Sequence, residues 1–215
     1  MYKKKPFLIV FEGVEGCGKS YQSKKLIRSL KKKGINPILT REPGGTRSAE
    51  SIRTLILKDY FNKGKEEKFD KYTDTLLYLA ARNEHIKNKI EPALKRKKVV
   101  ICDRFIDSTI AYQVYGKKVN RSFIDNIHKF ILQGIKPNLV FILKVSSKSS
   151  KLRLKKRKTK NRYDNFSQSF YTKAQKSFLK IAKNKKNYFV LDSSSNNTNL
   201  EKKILNIVFK KLKIK

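Results

Sequence analysis

Apolar residues gather in five short runs along the chain, at 7–11, 37–40, 99–102, 139–145 and 188–191. Within a run such as Phe7-Leu8-Ile9-Val10-Phe11, apolar and polar positions do not alternate. A strand with one solvated face alternates; a strand buried on both faces of a parallel sheet does not. Between the runs, apolar positions recur at helical spacing. They predict helices over 19–33, 47–59, 73–96, 105–116, 121–134, 147–157, 167–184 and 199–213. Strand–helix alternation at this spacing predicts a three-layer α/β/α fold around a central five-stranded parallel sheet. The last helix sets Leu200, Ile204, Ile207, Val208 and Leu212 among lysines. That pattern reads as a packed terminal helix rather than a membrane-surface helix.

Length changes the picture little: 215 residues without an internal repeat fit a single domain, 1–215. The polar segment 193–198 is too short to be an interdomain linker. No run approaches the ~18 apolar residues of a membrane span. The basic start, Met1 to Lys5, leads into a short apolar run without a small-residue cleavage site, so a cytoplasmic N-terminus is expected. Cys17 and Cys102 fit a reducing compartment and are too few for a structural zinc site.

Charge changes it more. With 53 basic and 17 acidic residues the formal net charge is +36, which attracts polyanions, nucleotides included. The lysines are dispersed, and no platform of interleaved aromatic and basic residues stands out. The sequence therefore favours a lysine-rich composition on solvated faces over a dedicated nucleic-acid surface.

The chemistry begins directly after the first apolar run. Residues 13–20 read Gly-Val-Glu-Gly-Cys-Gly-Lys-Ser, a complete G-x-x-x-x-G-K-S phosphate loop between a strand and a helix. The glycines let successive N–H groups converge on one anion. Lys19 is placed to reach the β/γ-phosphates of a nucleotide, and the Ser20 hydroxyl to ligate Mg²⁺. The third run ends in Asp103-Arg104. An aspartate there can hold Mg²⁺, and an arginine beside it can grip a phosphate; a plain surface ion pair is the alternative. The second run ends in Thr40-Arg41-Glu42-Pro43-Gly44-Gly45-Thr46, a ligand loop or only a turn. Tyr78 and Arg82 lie four residues apart on one helix. Together they can stack on and read a base, or be a core tyrosine and a surface arginine. The basic segment at about 150–163 is either a solvated face or a lid over a transferring phosphoryl group.

Taken together, these blocks resemble the thymidylate kinase family from Phe7 to about Ala182. The matching segments are FEGVEGCGKS at 11–20, TREPGGT at 40–46 with Arg53 downstream, and LLYLAAR at 76–82 with His85. They continue in CDRFIDSTIAYQ at 102–113 and RYDNFSQSFY at 162–171. The resemblance implies a P-loop NTPase fold, ATP and dTMP as partners, Mg²⁺ as cofactor, and a homodimer. It implies that ATP lies on Gly13, Val14, Glu15, Gly16, Cys17, Gly18, Lys19, Ser20 and Tyr21. It implies that Arg41, Arg53 and Arg104 hold the dTMP phosphate. Tyr78, in place of the family's usual phenylalanine, would stack on thymine and Arg82 would donate to its O4. Thr109 and Gln113 would meet the base edge, Tyr112 the sugar C2′, and Glu15 the 3′-hydroxyl. Lys19, Arg104, Asp103 and a lid arginine would form the catalytic set, with Ser20 and Asp103 at the metal. Gly16, where one branch of the family has an arginine, is similar to the bacterial-type branch, whose cation comes from the lid. Arg157 is the expected lid residue, with Arg153 and Arg162 beside it.

Two rivals stay open. One is another nucleoside monophosphate kinase or a deoxynucleoside kinase; the G-x-P-G-x-G-K-G loop usual in adenylate kinases is absent. The other is a nucleic-acid-binding protein that uses the net charge.

Overall fold

The computed structural model describes residues 5–57, 69–157, 163, 167–195 and 198–214. Five parallel strands, β1 (Phe7–Glu12), β2 (Ile38–Arg41), β3 (Val99–Asp103), β4 (Leu139–Lys144) and β5 (Tyr188–Asp192), form one sheet in the order β2-β3-β1-β4-β5. All six residues of β1 are buried. Successive side chains of a strand point to opposite faces, so both faces of the sheet are covered. Phe11 stacks on Phe141 of the neighbouring strand, with ring centroids 5.2 Å apart. The expectation of strands buried on both sides holds for β1, β3 and β4. It fails at the sheet edges: β2 and β5 are mostly half-exposed, because each has a partner on one side only.

Nine α-helices surround the sheet among the described residues: α1 (Lys19–Lys32), α2 (Arg47–Leu57), α3 (Lys71–His85), α4 (Glu91–Lys95), α5 (Ile106–Thr109), α6 (Arg121–Leu132), α7 (Ser147–Lys155), α8 (Gln168–Ala182) and α9 (Thr198–Leu212). The terminal helix α9 packs on α1, burying Leu200, Ile204, Val208 and Leu212 as its periodicity predicts. The helix expected over 73–96 begins earlier, where the Asp70 side chain accepts from Tyr72 N–H and caps α3. It also widens into a π-helical turn over Ile86–Ile90 before α4. A second π-helical segment, Ile110–Gly116, follows α5. None of the helices is long and apolar enough to cross a membrane among the described residues.

The pairing register sets Phe11 beside Asp103 and Arg41 beside Asp103. The carboxyl ends of β1, β2 and β3 therefore meet at one edge, where an open α/β sheet places its ligand crevice.

Candidate active site

The phosphate loop leaves β1 through glycines that no other residue can replace without strain. Gly13 has φ 134°, and a Cβ there would sit 2.6 Å from the Leu143 carbonyl oxygen. Gly18, with φ 91°, precedes α1 and offers no side-chain cap. The first turn of α1 carries no acid, so its free N–H groups and positive dipole end suit an anion. Lys19 is buried, and its ammonium donates to the carbonyl oxygens of Gly13 at 3.0 Å and Val14 at 2.9 Å. The Ser20 hydroxyl donates to Asp103 Oδ2 at 2.5 Å.

Arg104 is the hinge of the site. It holds φ 73°, a left-handed conformation that costs a non-glycine residue roughly 1–3 kcal/mol. Its N–H bonds to Phe11 O at 2.9 Å. The guanidinium donates to Gly13 O and Ser108 Oγ, both at 3.0 Å, and to Glu15 Oε1 at 2.6 Å. It also lies over the Tyr112 ring, 5.3 Å from the centroid. Glu15 accepts a second bond from the Tyr112 hydroxyl at 2.6 Å. Burial pulls the Glu15 carboxyl upward, but Arg104 and Lys19 outweigh it and hold it below its ordinary value. Burial and the Glu15 charge raise Tyr112 well above its ordinary value, so its hydroxyl stays protonated.

Behind this layer lies Glu12, which the sequence reading passed over. It is fully buried and accepts from Phe105 N at 2.8 Å and from Ser108 Oγ at 2.6 Å. Burial and the charge of Asp107 push its pKa from 4.5 to about 8. Between those values the folded chain holds a proton the unfolded chain has lost, so this group lowers stability as pH rises through the window. The Glu12→Gln variant should gain stability relative to the parent from about pH 4.5 to about 8, then level off. Urea unfolding across a pH series checks this, and a pH-independent difference would refute it.

Arg82 is no surface arginine: its side chain is 3% exposed. Nε and Nη2 both lie 2.7 Å from Glu42 Oε2. Nη2 donates to Phe105 O at 2.8 Å, and Nη1 reaches Thr109 Oγ1 at 2.8 Å and His128 Nε2 at 2.9 Å. His85 closes the cluster, with Nδ1 3.0 Å from Glu42 Oε1 and Nε2 2.6 Å from Thr40 Oγ1. Burial would raise the Glu42 carboxyl, yet Arg82 and His85 bring it below its ordinary value. The Tyr78 hydroxyl bonds to the Tyr163 hydroxyl, which supplies the partner its extra oxygen over phenylalanine requires.

Arg41 and Arg53 come together at Glu50, a residue for which the sequence reading had no role. Glu50 binds Arg41 Nη2 at 3.0 Å and Gly45 N–H at 2.9 Å, and lies 4.0 Å from Arg53 Nε. Arg53 donates to Pro43 O at 2.6 Å. In the basic segment expected to be a lid, Arg153 ties α7 to the phosphate loop through Gly16 O at 3.1 Å and to Ser193 O at 2.7 Å. Arg157 also faces the cavity, whereas Arg162 and the rest of 158–162 lie outside the described residues. Both cysteines are buried with raised thiol pKa values, so neither is a ready nucleophile.

One cavity of about 440 Å³ joins these groups. Gly16, Gly18, Lys19 and Ser20 line one part; Tyr78, Arg82, Thr109, Tyr112 and Gln113 line another; Arg41, Arg53, Asp103 and Arg104 also line it. Of the expected site residues, Gly13, Val14 and Cys17 are not in the lining, and Val14 and Cys17 are core residues. In the wall of the cavity, Gln113 is buried, and its Nε2 has no hydrogen-bond partner among the described residues. A buried N–H without a partner is costly, which sets this residue of the cavity wall apart.

Comparison with known proteins shows the family of the chain. The thymidylate kinase family model matches residues 11–204. A thymidylate kinase of Wolbachia pipientis is 41% identical over 95% of this chain and 97% of its own. One from a Geobacillus strain is also 41% identical, over 80% of each chain. The crystal structure of thymidylate kinase from Ehrlichia chaffeensis superposes with a TM-score of 0.73 at 33% identity, covering 96% of this chain and 98% of that one. The sheet order, the phosphate loop and this agreement along nearly the whole chain lead to one conclusion: the protein belongs to the thymidylate kinase family of nucleoside monophosphate kinases.

Proposed function

We propose that the protein transfers the γ-phosphoryl group of ATP to the 5′-phosphate of dTMP, yielding dTDP and ADP. The observation that carries this reading is one cavity lined by both a phosphate loop and Gln113, whose buried amide nitrogen has no partner among the described residues. ATP lies along the loop with its phosphates at Lys19 and the α1 N-terminus. The dTMP phosphate lies toward Arg104, with Arg41 and Arg53 turned to it from Glu50. Its base stacks on Tyr78 and meets Arg82, Thr109 and Gln113. Glu15 and Tyr112, already bonded to each other, face the sugar.

The attacking oxygen belongs to an anionic phosphate, so no general base is needed. Catalysis is positioning and charge stabilisation by Lys19, Arg104 and a lid arginine, Arg157 or Arg153. Asp103 and Ser20, hydrogen-bonded to each other, present hard oxygen donors of the kind that suits Mg²⁺, and they would hold it. The chemistry such an ion would supply is neutralisation of charge on the phosphates. The reading carries with it a cytoplasmic homodimer. Tyr72 and Leu76, one turn apart on α3, expose an apolar surface a second copy can cover.

A substrate panel tests the proposal. ADP release is followed with Mg²⁺ and ATP against dTMP, dUMP, dCMP, AMP and thymidine. The expected result is preference for dTMP, by about tenfold over dUMP for the single methyl group. Faster turnover of another monophosphate would overturn the base assignments, and turnover of thymidine would overturn the phosphate-acceptor reading.

A further inference from the structure

The base end of the cavity is organised by Arg82, and one of its partners stands outside the cavity. His128 lies on α6, is buried, and does not line the pocket. An arginine can only donate, so the 2.9 Å contact fixes the direction of the bond. His128 Nε2 accepts from Nη1, and the ring is neutral with its proton on Nδ1. Burial first, then the charges of Arg82 and Arg121, push its pKa down to about 3, in keeping with that state.

The other contacts of Arg82 divide its edges. Glu42, which also lines the cavity, and the Phe105 carbonyl, which does not, hold Nε and Nη2. Nη1 is shared between Thr109 Oγ1, which lines the cavity, and His128 Nε2, which does not. Only the Thr109-facing N–H can turn to an incoming oxygen without unpairing a buried group, since a threonine hydroxyl rotates to another partner. The His128-facing N–H is held away from the pocket.

We infer that His128 is a positioning residue for substrate recognition: it pins one N–H of Arg82 and so fixes the guanidinium plane that presents the other to the pyrimidine oxygen. The inference rests on the proposed reading of the cavity as the dTMP site. It assigns a role to a residue that touches neither substrate.

Two measurements test it. In the first, His128→Leu removes the acceptor, while His128→Gln places an amide oxygen near the position of Nε2. Leaving a buried N–H unpaired should raise KM for dTMP by about tenfold in the leucine variant. Its kcat and its KM for ATP should stay within about twofold of the parent, and the glutamine variant should recover most of the loss. An unchanged KM for dTMP in the leucine variant would overturn the inference. So would a fall in kcat together with a rise in both KM values, which a purely structural role would produce. The second measurement needs no variant. The chain has two histidines, so ¹⁵N-detected ring spectra of the intact protein resolve both. His128 should show a neutral ring protonated at Nδ1 down to pH 5. A ring protonated at Nε2, or a cationic ring at that pH, would overturn the inference independently. Should the parent enzyme fail to phosphorylate dTMP, the reading of the cavity falls, whereas the ring spectra still decide the Arg82–His128 bond.

Discussion

Replacing Lys19 with alanine is expected to lower kcat by roughly 10²–10³-fold, the loss typical of removing one transition-state charge donor. The ammonium is buried beside the loop and already held by the Gly13 and Val14 carbonyls. Those two bonds brace the loop, and the phosphates of ATP would take their place as partners. The variant therefore loses both the brace and the charge, and KM for ATP should rise as kcat falls. KM for dTMP should change little, because Lys19 does not touch the base wall. Steady-state kinetics with each substrate varied in turn measures all three. A variant with near-parental turnover would remove the phosphate loop from the mechanism.

Replacing Glu42 with alanine is expected to lower stability by roughly 3–5 kcal/mol, the consequence of stranding one member of a buried ion pair. Glu42 and Arg82 are both nearly inaccessible to solvent, and His85 shares the same carboxylate. Without it, the Arg82 guanidinium retains only neutral partners in a desolvated setting. An exposed pair such as Arg121–Asp125 contributes at most about 1 kcal/mol. Urea unfolding measures the change, and a loss under 1 kcal/mol would mean that water reaches Arg82. Because Glu42 sits below its ordinary pKa, its contribution is present above the normal carboxylate range and fades as pH falls through its lowered value.

Much of this was legible in the residue pattern because the strongest signals are local. A strand buried on both faces writes itself as an unbroken apolar run, and a phosphate loop as glycines at fixed spacing, so β1, α1 and the loop needed no tertiary information. The edge strand β5 has a similar apolar run, Tyr188 to Leu191, yet is half-exposed, because strand order is not written in any one run. The polar network was legible only in part. Arg82 was singled out as a base reader, but nothing in a four-residue spacing says that Glu42, forty residues earlier, meets it in the core. Glu12 sits in plain view before the first glycine, and its partners Phe105 and Ser108 come from the start of α5, more than ninety residues away. His128 had no local signal, since a lone histidine on an amphipathic helix is indistinguishable from a packed or solvated one. Glu50 was hidden for the opposite reason: one acid near two arginines in a very basic chain looks like surface charge.

The wide helical turn over Ile110–Gly116 carries Tyr112 and Gln113, while the regular turn before it carries Thr109. A wide turn fits one additional residue into the axial length of an ordinary one, and each residue of an α-helix advances the direction of its side chain by about 100°. The end of the cavity proposed for the pyrimidine is thus set by angular phase as well as by chemistry. Deleting Ala111 would leave every named side chain present in the chain and turn Gln113 relative to Thr109, away from the cavity. At this point the gene's reading of specificity is a count: insertion and deletion, more than substitution, are the changes this wall cannot absorb.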